Sequence, residues 1–178
     1  MQEFIARAKL IKLLILDADG VLTDGLLNYT KDGILFKSYH VRDGLGIKLL
    51  QRSGLEVAII STCPSGIIGR RSVDLGIKHV YEACENKLAA YQELKKRLQL
   101  EDKQIAYLGD DLPDLPLISR VGLGLTVAGA PALLQQQAVY TSQAPGGQGA
   151  VREICELIMQ AQGTFDAVLE PYHLAEVT

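Results

Sequence analysis

Two aspartates one residue apart, Asp17 and Asp19, close the apolar run Leu13-Leu14-Ile15-Leu16 and precede Gly20. Such a run reads as a buried strand, so both acids stand where a strand leaves the core. Carboxylates beside apolar surface are costly unless a cation or a proton balances them. The glycine lets the backbone turn sharply and stay uncovered. A second acidic group, Gly109-Asp110-Asp111-Leu112-Pro113-Asp114, follows the apolar residues 105–108. Alone, acids there are ordinary helix caps; two acidic strand ends in one chain make capping an incomplete account. Ser61 and Thr62 place hydroxyls after a third apolar run, residues 57–60, and Lys87 opens a helical stretch after Tyr81. Singly, these two features read as a cap and a solvated charge.

Together the acids, hydroxyls and lysine suit the hydrolysis of a phosphomonoester. The ester adds about two negative charges to a site already holding several carboxylates. Two unit charges at ~4 Å repel by about 4 kcal/mol at an effective dielectric near 20. Lys87 is one positive charge and is not enough, so a divalent ion is required. An all-oxygen donor set with room for water and phosphate suits Mg²⁺. A calcium loop is excluded, because its glycine belongs at the sixth position and Gly20 is at the fourth.

These residues need a scaffold that brings strand ends together. Strand-like segments at 12–16, 57–60, 79–81, 105–108 and 122–127 alternate with helical stretches at 44–52, 65–75, 87–98, 112–119, 131–136 and 150–160. This alternation predicts an α/β fold, with a mostly parallel sheet of five or six strands flanked by helices. In such sheets ligands sit beyond the carboxyl ends of the strands, where the polar motifs fall. Residues 25–39 break the alternation, and Lys31-Asp32-Gly33 is a turn signal between two β-prone runs. They predict a β-hairpin inserted after the first strand, whose Leu27, Tyr29, Leu35 and Phe36 need an apolar surface. The chain reads as one domain over 1–178, with a less patterned tail at 163–178.

The order Asp-x-Asp-Gly, strand-end Ser/Thr, Lys and Gly-Asp-Asp-x-x-Asp resembles the four motifs of haloacid dehalogenase (HAD) superfamily phosphatases, whose fold is Rossmann-like. More narrowly, nearly the whole chain resembles the 3-deoxy-D-manno-octulosonate 8-phosphate (KDO 8-phosphate) phosphatases. The segments that carry this are Asp17 to Gly25, Val41-Arg42-Asp43-Gly44-Leu45-Gly46, Leu75-Gly76-Ile77, Asn86-Lys87, Gly109 to Asp114 and Gly149-Ala150-Val151-Arg152-Glu153. The resemblance implies no large cap domain and a homotetramer whose hairpins meet in a central barrel. It implies Asp17 as nucleophile and Asp19 as acid and base. Mg²⁺ would be held by Asp17, the Asp19 carbonyl and Asp110, and phosphate by Ser61 and Lys87, with Asp111 and Asp114 in support. The implied substrate is a phosphorylated sugar acid, and the implied setting is the making of lipopolysaccharide precursors.

The chain departs from that pattern twice. Thr62-Cys63 stands where the family usually has Gly-Arg, and Gln148 stands where it often has Arg. Arginine is the natural partner of a substrate carboxylate, so these departures touch substrate identity more than reaction type. Arg42, Arg70 or Arg71 are candidates to compensate, and Arg71 matches a family arginine. A nine-carbon sugar-acid 9-phosphate is an alternative substrate, and a catalytically reduced oligomerisation domain an alternative role. Cys63 and Arg70 approximate a cysteine-phosphatase loop, but six residues separate them where five are needed. Gly122-Leu123-Gly124 lacks the full dinucleotide pattern.

Bulk properties agree. The 178 residues are 48% hydrophobic and 22% charged, ordinary for a globular protein, and the net charge of −3 argues against nucleic acid as a partner. No apolar run approaches the roughly 20 residues that span a bilayer. Residues 1–9 lack an apolar signal core and the three cysteines are widely spaced, so a reduced, cytoplasmic protein is expected.

Overall fold

The computed structural model describes residues 1–64 and 66–172, with the backbone alone at Ile34 and Leu35. Its centre is strand β1 (Leu13–Leu16), all four residues of which are buried. β1 pairs in parallel with β4 (Glu56–Ile60) on one side and β6 (Ile105–Gly109) on the other. Beyond β4 lies β5 (His79–Tyr81); beyond β6 lie β7 (Leu123–Ala128) and β8 (Tyr140–Pro145). The order β5-β4-β1-β6-β7-β8 is parallel throughout. A strand covered on both faces can be apolar at every position, and each fully buried Leu or Ile contributes about 1.5–3 kcal/mol. The direction of winding reverses between β1 and β6, which opens a crevice beyond their carboxyl ends.

Helices α1 (Gln2–Ala8), α2 (Val41–Arg52), α3 (Ile67–Leu75) and α7 (Ala150–Gln162) are linked by packing of α7 on α1 and α2, and of α2 on α3. α4 (Lys87–Arg97), α5 (Leu115–Ile118) and α6 (Ala132–Gln137) pack in succession. The inserted hairpin is present as a separate two-stranded sheet, β2 (Asn28–Thr30) and β3 (Gly33–Phe36). Among the described residues no other domain stands over the strand ends.

Several expectations differ in detail. β8 and α1 lie where the sequence pattern predicts neither a strand nor a helix. α2 begins at Val41 rather than at residue 44, running through Gly44 and Gly46. A Cβ on Gly44 would lie 2.4 Å from Arg71 Nη2, and one on Gly46 would lie 2.9 Å from Arg152 Cα. Close packing, rather than helix breaking, accounts for both glycines. The stretch at 112–119 is a 3₁₀ turn (Leu112–Asp114) followed by the single turn of α5. The stretch after Gly163 includes α8 (Phe165–Leu169) and a 3₁₀ turn (Glu170–Tyr172), with Val168 buried. Ser65, the expected first residue of the helix at 65–75, and residues 173–178 of the expected tail lie outside the described residues.

Candidate active site

The sheet register sets three carboxyl ends side by side. Leu16 is opposite both Ile59 and Leu108, and the Asp17 amide donates to the Leu108 carbonyl at 3.0 Å. Asp17 therefore leaves β1 next to Ser61 after β4 and Asp110 after β6. Gly20, at φ +81°, closes the loop: a Cβ there would lie 2.0 Å from Asp110 Oδ2, so a side chain would displace that acid.

Lys87 is the first residue of α4, with its side chain 6% exposed. A cation at that end of a helix opposes the dipole. Two carboxylates hold it there: Nζ lies 2.9 Å from Asp17 Oδ2 and 2.6 Å from Asp114 Oδ1. Asp114 also accepts from the buried Tyr107 hydroxyl at 2.6 Å and from the Asp110 and Asp111 amides at 2.9 and 3.3 Å. The ligand oxygens of Asp17, Asp110 and Asp114 all lie within 4.8 Å of one another.

This cluster is short of positive charge. Burial first, then the Asp114 charge, push Asp17 up to about 7 despite Lys87. The same two causes push Asp110 up to about 6. Burial presses Lys87 downward, but Asp17 and Asp114 outweigh it and hold the ammonium above its ordinary value. Three carboxylates against one ammonium fit a divalent cation, and hard oxygen donors fit Mg²⁺. Asp114 is already occupied by four donors, which leaves Asp17 and Asp110 as the open carboxylates.

Asp19 is turned to a different partner. Lys37, just after β3, places Nζ 2.7 and 2.8 Å from its two carboxylate oxygens. Ser61 is buried; its Oγ accepts from the Cys63 amide at 3.2 Å, and its own proton has no acceptor among the described residues. Asp111 is exposed and caps the 3₁₀ turn through the Leu112 amide at 2.8 Å. Of the two supporting acids, Asp114 is thus the one that touches Lys87.

The two candidate substrate arginines separate. Arg71 lines a cavity of about 730 Å³ with Lys37, Tyr39 and Arg70, its guanidinium 5.6 Å from the Tyr39 ring centre. Arg42 lines a different cavity, with Gln148, Arg152 and Glu156. Gln148 also borders a cavity shared with Asp24, Asp110 and Asp111. Arg70 is 85% exposed in its side chain and lies near Asp74, so it does not close a phosphate loop with Cys63. Sequence reasoning missed Lys37 and Tyr107. A buried tyrosine needs a partner for its hydroxyl, so Tyr107 in an apolar strand just before the second acidic motif was a usable signal. Lys37 carried none, because only the folded hairpin brings it to Asp19.

Comparison with known proteins agrees with this geometry. Residues 68–154 match the haloacid dehalogenase-like hydrolase family. Over 164 residues the chain is 44% identical to the 3-deoxy-D-manno-octulosonate 8-phosphate phosphatase KdsC of Escherichia coli K12, covering 92% of this chain and 87% of that protein. The Moraxella catarrhalis 3-deoxy-D-manno-octulosonate 8-phosphate phosphatase, solved with magnesium, phosphate and KDO, superposes with a TM-score of 0.94 at 40% identity, covering 97% and 99% of the two chains. The cobalt-bound Haemophilus influenzae enzyme (YrbI) gives 0.88 at 42% identity, covering 90% and 94%. A strand-end acid cluster one cation short, on a scaffold shared along nearly its whole length, places this chain in the 3-deoxy-D-manno-octulosonate 8-phosphate phosphatase family of haloacid dehalogenase-like hydrolases.

Proposed function

We propose that this protein is a Mg²⁺-dependent phosphomonoesterase that converts KDO 8-phosphate to KDO and phosphate. The observation that carries the reading is the approach of Asp17, Asp110 and Asp114 within 4.8 Å around the Lys87 ammonium. Asp17, the Asp19 carbonyl and Asp110 are the residues that would hold the metal. Bound there, Mg²⁺ supplies positive charge that offsets the substrate phosphate and the carboxylates around it.

An Asp17 carboxylate oxygen attacks phosphorus, and the bond from phosphorus to the sugar oxygen breaks. Asp19, entering this step as the carboxylic acid, gives its proton to that departing oxygen and is left as the carboxylate. Water then attacks the aspartyl-phosphate and gives its proton to Asp19; phosphate leaves, and the Asp17 carboxylate is restored. Lys87 and the Ser61 hydroxyl bind the phosphoryl oxygens as charge moves onto them. Asp114 keeps Lys87 aimed at Asp17. Arg71, beside Tyr39 in the cavity that Lys37 also lines, is the candidate for the substrate carboxylate.

The chain acts as one domain, and its hairpins assemble a homotetramer. In support, Leu26 and Leu27 just before β2, and Tyr29 and Phe36 on the two-stranded sheet, are 42–67% exposed, and such a sheet is marginal by itself. The free thiols Cys63, Cys84 and Cys155 favour a cytoplasmic setting. No described helix is long and apolar enough to cross a membrane.

The test is release of inorganic phosphate from KDO 8-phosphate with and without Mg²⁺, run beside a nine-carbon sugar-acid 9-phosphate. Turnover is expected only with metal, with kcat/KM favouring the eight-carbon ester. Asp17→Asn should reduce turnover to background. Full metal-dependent activity in that variant would sink the reading, and preference for the nine-carbon ester would replace the substrate while keeping the chemistry.

A further inference from the structure

We infer that Lys37 is the positioning residue for Asp19, holding its carboxylate where the departing ester oxygen is protonated. The inference rests on the phosphatase reading above and assigns the hairpin a part in the chemistry besides assembly.

The Lys37 side chain is 0% exposed, whereas that of Asp19 is 28% exposed. The ammonium is thus shut away behind the carboxylate, and the carboxylate still faces open space. Burying an ammonium is expensive unless a partner compensates it, and freezing a lysine stem sacrifices its rotamer freedom. Both costs are incurred here chiefly for one ion pair, to both oxygens of Asp19 at 2.7 and 2.8 Å, with the Cys63 side chain as a second, lesser neighbour of the ammonium. A two-oxygen contact fixes the plane of the carboxylate as well as its place.

Asp19 has no other side-chain partner among the described residues. Asp17 is held by the Ala18 amide and Lys87, and Asp114 by four donors. Without Lys37, Asp19 alone of the three would be free to turn. Among the described residues, this is also the only ion pair running from the hairpin segment to a strand-end loop. A misplacement of about 1 Å in a reacting group can cost ~10²-fold in rate, so the seating of the hairpin reaches the acid through this lysine.

The test exploits the leaving group. The 8-oxygen of a sugar phosphate needs a proton to depart; the phenolate of p-nitrophenyl phosphate does not. Values of kcat/KM with Mg²⁺, which report formation of the aspartyl-phosphate, are measured on both esters for the wild type, Lys37→Met and Lys37→Arg. Lys37→Met should lower the sugar-phosphate value roughly 10²-fold and the aryl value about threefold or less, with Lys37→Arg restoring most of the difference. Equal loss on both esters, or no loss on either, overturns the inference. If the Met variant does not fold by circular dichroism, Lys37→Gln carries the same comparison. A wild type inert toward both esters overturns the phosphatase reading itself, a result distinct from an unchanged ratio in an active enzyme.

Discussion

Asp114 organises the cluster through the four donors it accepts from. One oxygen accepts from Lys87 and Tyr107, both at 2.6 Å, and the other from the Asp110 and Asp111 amides. The acid therefore shapes the loop that carries one open carboxylate and aims the lysine at the other. Burial and the surrounding carboxylates hold the Tyr107 phenol well above its ordinary value, so it stays a donor. Tyr107→Phe removes one hydrogen bond to a buried charge at almost constant volume. Such bonds contribute about 1.5–3 kcal/mol, and a loss of that size should appear in urea unfolding. Because Lys87 then loses part of its guide, kcat should fall more than KM rises. Unchanged stability together with unchanged kcat would show that Asp114 does not depend on the phenol.

At the scale of elements, the family-specific motifs turn out to be fasteners between helices. Asp43, buried in the first turn of α2, accepts from the Gly149 and Arg152 amides at 3.2 and 2.8 Å and so caps α7 from another helix. The loop before α7 in turn presses on the loop that follows β1: a Cβ on Gly146 would lie 1.8 Å from the Gly20 carbonyl oxygen. Asp43→Ala should cost about 1–2 kcal/mol, the usual loss for a helix cap, measured by denaturant unfolding; no loss would mean that α7 needs no cap from α2. This fastening also marks where the sequence was legible. β1, β4 and β6 were visible because buried parallel strands are uninterrupted apolar runs that end abruptly in polar residues. β8 was hidden, since Tyr-Thr-Ser-Gln-Ala-Pro is the polar composition of a sheet edge. Asp17, Asp19 and Asp110 stood out because each belongs to a short acidic motif placed directly after an apolar run. The roles of Asp43, Tyr107 and Lys37 depend on contacts between segments far apart in the chain, and no local pattern reports those.

For the whole molecule, the unbalanced acids couple stability to pH and metal. In the metal-free fold Asp17 is raised to about 7 and Asp110 to about 6, against an ordinary value of 3.8. Between roughly pH 4 and 7 the folded chain therefore holds protons that the unfolded chain has released, and metal-free stability falls as pH rises through that window. Mg²⁺ needs the ionised carboxylates, so it competes with those protons and binds better as they leave. Above pH 7 the repulsion is fully present and the metal relieves it most. A ligand at ~100 times its Kd adds about 2.7 kcal/mol, which for a chain of this size is roughly 5–11 °C in Tm. Thermal unfolding with Mg²⁺ and with EDTA should show a shift of that order at pH 8, shrinking steadily toward pH 5. A shift independent of pH would mean that Asp17 and Asp110 are already ionised without the metal. The deficit of positive charge at the strand ends would then have to be met from within the chain itself.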